Sequence, residues 1–348
     1  MQAAITGQMR ETGRYASRPR AGHRFSPALT PARMLALLVA LLCAAALSVT
    51  MPAGRALAAY PGKDGRIAFV RNGNIFTINP SDVAAGAVRL TTDGHASGPR
   101  WSPNGARIAY LDKGDLWVMK ANGTSKKRLT DTAPRYTDSR PSWSPNGRYL
   151  AFVQTRRGHA FGYLARYNLA RHNVRMFTTT INGTLQQVAA LPAAVAWTWT
   201  PVSAGHGSYI AYEGAAKLCP FRHHYCLNLL GFDSQAKYRN GFPSAEDDDT
   251  SFRLTDPDWY PIRPNFATQL MTTQETCTAS HCTPQGLDLE VLAAPSFPGG
   301  YEGVYAPTAT LIAYVKGAGR QAHIYYASAR GEATRLVAGS QPDWQPVP

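Results

Sequence analysis

The sequence predicts an all-β fold: a six-bladed β-propeller of four-stranded blades, its ring closed by N- and C-terminal strands that share one blade. Three observations predict it. Trp101-Ser102-Pro103-Asn104-Gly105 leads into Ile108-Ala109-Tyr110, and Trp143-Ser144-Pro145-Asn146-Gly147 leads into Leu150-Ala151-Phe152. An Arg-Leu-Thr ending recurs at Arg89-Leu90-Thr91, Arg128-Leu129-Thr130 and Arg253-Leu254-Thr255, with Arg335-Leu336-Val337 as a variant. The two ends of the chain carry complementary halves of the same unit. A four-stranded unit repeated along a chain closes into a propeller.

The clearest unit reads strand by strand. Residues 98–101 form a short first strand, and Ser102-Pro103-Asn104-Gly105 suits a type I turn, with Pro presetting φ and Gly closing it. Residues 107–111 are bulky and aliphatic, as a second strand requires. Lys113-Gly114 connects to Leu116-Trp117-Val118-Met119, the third strand. Asn122-Gly123 predicts a type I′ hairpin, and Arg128-Leu129-Thr130 ends the outer strand.

The other units follow by sliding this template along the chain. Trp259 precedes Phe266-Ala267 and Tyr305 precedes Leu311-Ile312-Ala313-Tyr314, each with the Ala eight residues on. Trp199 precedes Tyr209-Ile210-Ala211 with a longer turn. Pro342-Asp343-Trp344 lacks a second strand, and Ile67-Ala68-Phe69 lacks a first. The structural anchors are thus Trp101, Trp143, Trp199, Trp259, Tyr305 and Trp344.

These motifs resemble the WD40-like propeller repeats of TolB-like proteins. The resemblance covers the chain after residue 60 and implies the fold. TolB itself carries an N-terminal α/β domain that this sequence lacks, so a Tol–Pal role does not come with it.

Residues 34–50 are apolar, follow six arginines from Arg10 to Arg33, and precede Ala56-Leu57-Ala58. Basic segment, apolar core and small-residue site read as a secretory signal peptide over residues 1–58, with the propeller over 59–348. An uncleaved anchor is the alternative. The protein is expected to be exported: extracellular, periplasmic or envelope-associated. The full chain of 348 residues carries +14. Without residues 1–58, which hold seven Arg and Glu11, the net charge is +8. That balance suits anionic cell-surface polymers. No basic run with interleaved aromatics points to nucleic acid.

Export makes disulfides the expectation for the local pairs Cys219/Cys226 and Cys277/Cys282, with cross-pairing between the two loops as the rival. Both pairs fall between second and third strands. That connection emerges on the same face as the blade-to-blade connections, a face where loops display binding groups. His95, His159, His223, His224, His281 and His323 collect there, with Phe221, Arg222 and Tyr225 as aromatic and cationic anchors. Propeller-fold pectin lyases with similar repeats set histidines around a metal, and the Cys/His clusters have zinc-like composition. Ordinary loop histidines explain them without a metal, and no cofactor is expected. Glu246, Asp247, Asp248 and Asp249 form an acidic loop on the opposite face without the spacing of a calcium loop. Asn122-Gly123-Thr124 and Asn182-Gly183-Thr184 match the glycosylation pattern, which turn chemistry explains for the first.

No Gly-x-Ser-x-Gly or hydrolase-sized segment is present. The sequence therefore reads as a scaffold that binds a protein, peptide or cell-envelope glycan without catalysis. A metal-dependent polysaccharide lyase or hydrolase of propeller fold is the alternative.

Overall fold

The computed structural model describes residues 62–181, 184–197, 206–214, 226–233, 238–240, 252–259, 261, 270–277, 282–289, 297–328 and 332–348. Strands dominate, with short 3-10 turns at Val83–Ala85 and Gly319–Gln321 among them. No helix of the described residues is long and apolar enough to cross a membrane.

The first and the last described strands share one sheet. Ser340–Val347 pairs antiparallel with Lys63–Arg71, which pairs with Asn74–Ile78, followed by Val88–Arg89. Trp344 faces Ile67 in that register, as the two half-units require. The next sheet runs Ala96–Trp101, Arg107–Asp112, Asp115–Lys120 and Lys127–Arg128. A third unit is built on Tyr149–Arg156, Gly162–Asn168 and Asn173–Met176, with Tyr136–Asp138 and Ser142–Trp143 along its first edge. Ala196–Trp197, His206–Gly214, Cys226–Asp233 and Tyr238–Asn240 follow in order. Phe252–Trp259, Leu270–Cys277 and Cys282–Asp288 make a three-stranded sheet. Tyr301–Tyr305, Ile312–Lys316, His323–Ala327 and Thr334–Ala338 complete the chain.

The described sheets do not separate into six four-stranded blades. Four sheets of three or four strands stand apart. The units carrying Trp143 and Trp197 run together into one ten-stranded sheet, because Ala189–Ala190 pairs with a strand of each.

The anchor rule holds in register. Trp101 lies opposite Ile108, Trp143 opposite Leu150, Tyr305 opposite Ile312, and Trp259 opposite Leu270. Three sequence assignments are corrected. Trp197, not Trp199, takes the anchor position, opposite Ile210; Trp199 lies outside the described residues. Two tryptophans two apart share strand parity, so alternation could not choose between them. The partner strand of Trp259 is Leu270–Cys277, not one through Phe266-Ala267, which is outside the described residues. Arg253-Leu254-Thr255 belongs to the first strand of that sheet, not to an outer strand, since only three residues separate Thr255 from Trp259.

The turn chemistry is specific. Gly105 N–H donates to the Ser102 carbonyl at 2.8 Å, and Ser102 Oγ accepts the Arg107 N–H at 2.9 Å. Ser144 repeats both contacts with Gly147 and Tyr149. Asn122-Gly123 is not a type I′ turn, because Gly123 alone of the pair has positive φ. Gly123 N–H closes on the Lys120 carbonyl, a type I turn with Gly following it. The I′ geometry sits at Lys113-Gly114, with φ of 52° and 88°. The Thr of the Arg-Leu-Thr ending ties the outer strand inward: Thr91 Oγ1 accepts from Ile75 N–H at 2.9 Å and Thr130 Oγ1 from Leu116 N–H at 2.8 Å.

Each apolar core lies between neighbouring units. Ala68 and Ile75 pack with Trp101 and Ile108; Ala109 and Val118 pack with Trp143 and Phe152. Ile67, Phe69 and Trp344 pack with Val304, Val315 and Ile324, joining the last unit to the first. Trp101 and Trp344 are each 1% exposed, so each buries nearly the whole of a large apolar ring.

Candidate functional site: the charge belt and the loop face

The anchor residues position a belt of polar side chains from the units' first strands. Immediately before the anchors stand Arg100, Ser142, Asp258 and Asp343; three before them stand Gly98, Arg140, Asp256, Glu302 and Gln341. A strand's alternation puts residues two apart on one side. At four of the positions three before an anchor the backbone is left-handed: Gly98, Asp256, Glu302 and Gln341 have φ of 57°, 48°, 50° and 54°. The pairing register shifts beside Gly98, Asp256 and Glu302, as a bulge requires. At Gly98 only glycine fits, since a Cβ would stand 2.9 Å from Arg140 Cγ.

Arg100 meets Asp343 at 2.9 Å and Asp258 at 3.9 Å. Asp343 Oδ2 also accepts the Trp101 N–H at 2.5 Å, and Asp258 Oδ2 accepts the Tyr305 N–H at 2.9 Å. Ser142 Oγ accepts the Trp197 N–H at 2.9 Å. The tryptophans add their own ties: Trp143 Nε1 donates to the Arg100 carbonyl at 2.9 Å, and Trp259 Nε1 to the Ala196 carbonyl at 3.0 Å. In the other layer Arg140 meets Glu302 at 2.8 Å and Asp256 at 3.7 Å. Glu302 Oε2 accepts the Gln341 N–H at 2.6 Å, and Gln341 Oε1 accepts the Gly98 N–H at 2.7 Å. Each arginine thus faces two carboxylates.

Burial sets the proton affinities. It pushes the Asp258 carboxyl up to about 7 against the pull of Arg100. It raises Asp343 and Glu302 above the ordinary carboxylate range, against Arg100 and Arg140 respectively. Burial alone would lower the Arg100 guanidinium, but the Asp343 and Asp258 charges outweigh it. A carboxyl held near 7 can remain protonated where three charges would otherwise crowd. The cavity beside Arg100, Ser142, Asp258 and Asp343 is about 20 Å³, enough for roughly one water.

Three of the loop-face residues, His95, His159 and His323, are described, each in a different unit. His95 and His159 are exposed and His323 half-buried. His323 Nδ1 contacts the Gln321 carbonyl at 2.8 Å and its Nε2 the Arg335 guanidinium. Phe221, Arg222, His223, His224, Tyr225 and His281 lie outside the described residues, as do Cys219 and the acidic residues 246–249. Among the described residues no group of three or more His, Cys, Asp or Glu could hold a metal. Cys277 and Cys282 are direct Cα partners across their hairpin. The shared face is visible in the backbone: Ala96 N–H donates to the Gly73 carbonyl and Asp138 N–H to the Gly114 carbonyl, each at 2.8 Å. Each contact joins a second-to-third hairpin to the start of the next unit.

Sequence reading missed the belt. Its signal was a polar residue immediately before Trp101, Trp143, Trp259 and Trp344.

No protein-family model matches the chain, and no curated protein does. Among solved structures, TolB from Acinetobacter baumannii is similar over 91% of this chain and 73% of its own, at 12% identity and a TM-score of 0.56. The fold is a β-propeller. A putative TolB from Agrobacterium tumefaciens covers 80% of this chain and 92% of its own, at 12% identity and a TM-score of 0.48. An oligogalacturonate lyase in complex with manganese covers 76% and 70%, at 12% identity and 0.42. At these identities the likeness is one of fold, which does not fix function.

Proposed function

We infer that this chain is an exported six-bladed propeller that binds a protein, peptide or cell-envelope glycan on its loop face, without chemistry of its own. Residues 1–58 are the signal peptide and 59–348 the ring. The ten-stranded sheet is then two neighbouring blades bridged by Ala189–Ala190. The hydrogen bonds support six: Asp343 to Trp101, Arg100 to Trp143, Ser142 to Trp197, Ala196 to Trp259, Asp258 to Tyr305, and Glu302 to Gln341 link successive units and return to the first.

The observation that carries the binding reading is that the belt's charges satisfy one another. Arg100 and Arg140 are each engaged with carboxylates that also hold backbone N–H groups, and the space beside Arg100 admits about one water. A ligand group would have to displace those inter-unit ties. Recognition therefore falls to the loops, with His95, His159, His223, His224, His281, His323, Phe221, Arg222 and Tyr225 as the candidate contacts. The facing Cα atoms of Cys277 and Cys282 suit a local disulfide stapling one of these loops.

Capture from the organism's envelope fraction with residues 59–348 as bait tests the reading. A saturable partner on the wild-type surface is expected. Bound metal in the purified protein, together with cleavage of acidic polysaccharides, would replace it with the lyase reading.

A further inference from the structure

Three arginines gather at one strand pair without an acidic partner among the described residues. Arg166, Arg171 and Arg175 line a cavity of about 50 Å³ with Tyr149, Asn168 and Asn173. Arg166 on Gly162–Asn168 and Arg175 on Asn173–Met176 are directly opposed across the strand pair, and Arg171 sits in the turn between. Like charges directly opposite destabilise a sheet. No Asp or Glu occurs between Asp138 and Glu213. None of the ion pairs among the described residues includes any of the three.

The cluster is also held in place. The Arg166 guanidinium lies 5.1 Å from the Tyr149 ring centroid and 5.7 Å from that of Phe177, and both rings pack against Trp197. Stacking of this kind orients the planar guanidinium. Asn168 Oδ1 accepts the N–H groups of Ala170 and Arg171, each at 3.0 Å, fixing the turn that carries Arg171.

We propose that this cavity binds a phosphate group, as the inorganic ion or a small monoester. Guanidinium groups are donors only, and each presents a fork that matches two oxygens of an oxyanion. A carboxylate has two oxygens to share among three forks, whereas a phosphate monoester keeps three. The site lies beside the third-to-fourth turn, at the end of the unit opposite the second-to-third loops, and is independent of the loop-face reading.

The test is calorimetric titration of the full protein at low ionic strength with inorganic phosphate, glycerol 3-phosphate, acetate and chloride. Saturable binding of either phosphate species is expected, at least tenfold tighter than acetate, with none for chloride. The tighter phosphate species identifies the form bound. Arg171→Gln with Arg175→Gln, both on exposed side chains, should weaken binding at least tenfold without lowering the melting temperature. Arg156→Gln with Arg157→Gln, in the same unit but outside the cavity, should leave it unchanged. No saturable phosphate binding, equal binding of acetate, or equal loss in the two double variants would overturn the proposal.

Discussion

Asp343 Oδ2 accepts the backbone N–H of Trp101 at 2.5 Å, across 242 positions of sequence. That one contact joins the C-terminal strand to the first strand of the second sheet, and the same carboxylate holds Arg100. Ring closure and the charge belt are therefore one construction.

Removing residues 342–348 takes away Trp344, Asp343 and most of the strand paired to Lys63–Arg71. The melting temperature should fall sharply, and Trp344→Ala alone should cost about 3–5 kcal/mol, as for other buried tryptophans. Denaturant unfolding checks the figure. A truncated protein that melts like the intact one would separate closure from stability.

Arg100→Ala would leave Asp343 and Asp258 buried without their cation. Breaking a buried pair in this way costs about 3–5 kcal/mol. Adding Asp258→Asn and Asp343→Asn to Arg100→Met should recover most of that, because the charges leave together. Urea midpoints of the two variants decide it; equal losses would mean that unpaired buried charge is not what destabilises the Arg100→Ala protein.

The protonated carboxyls give stability a pH slope. Burial pushes Asp138 up to about 6 and Asp258 up to about 7, whereas an unfolded Asp titrates near about 3.9. Between those values the folded protein holds protons that the unfolded chain has released. These groups therefore favour the fold at lower pH, and their contribution declines as pH rises from about 4 towards 7. Asp258→Asn should flatten the upper part of that decline in melting temperature measured across pH. An unchanged profile would place the titration elsewhere.

The repeat was legible because its turn depends on short local contacts: Ser102 and Ser144 each receive a backbone N–H from five residues on, so Trp-Ser-Pro-Asn-Gly stays contiguous. Where the first turn lengthens, the signature dissolves. Trp197 and Trp199 then share parity, and Phe266-Ala267 mimics a partner strand that begins at Leu270. The belt was less legible for another reason. A polar residue beside a buried Trp on an alternating strand ordinarily reads as the solvent face. Here the first strands converge, so Arg100 and Asp258 are buried on that side too.

Cys277 and Cys282 should be linked to each other. Peptide mapping without reduction would show one short linked peptide pair, and the closed loop should stabilise by about 2 kcal/mol in the chain-entropy account. Free thiols, or a peptide joining Cys226 to Cys277, would contradict the local pairing.

The separation of belt from binding surface is tested most directly by parallel captures from the envelope fraction. The baits are residues 59–348 unchanged, with Phe221→Ala, Arg222→Ala and Tyr225→Ala together, with Asp258→Asn, and with residues 246–249 neutralised. The account predicts that the partner is lost from the triple variant, a change of about 2 kcal/mol or more if these are anchors, and kept by the other two. A partner that stays with the triple variant and leaves when Asp258 or residues 246–249 are changed would contradict it.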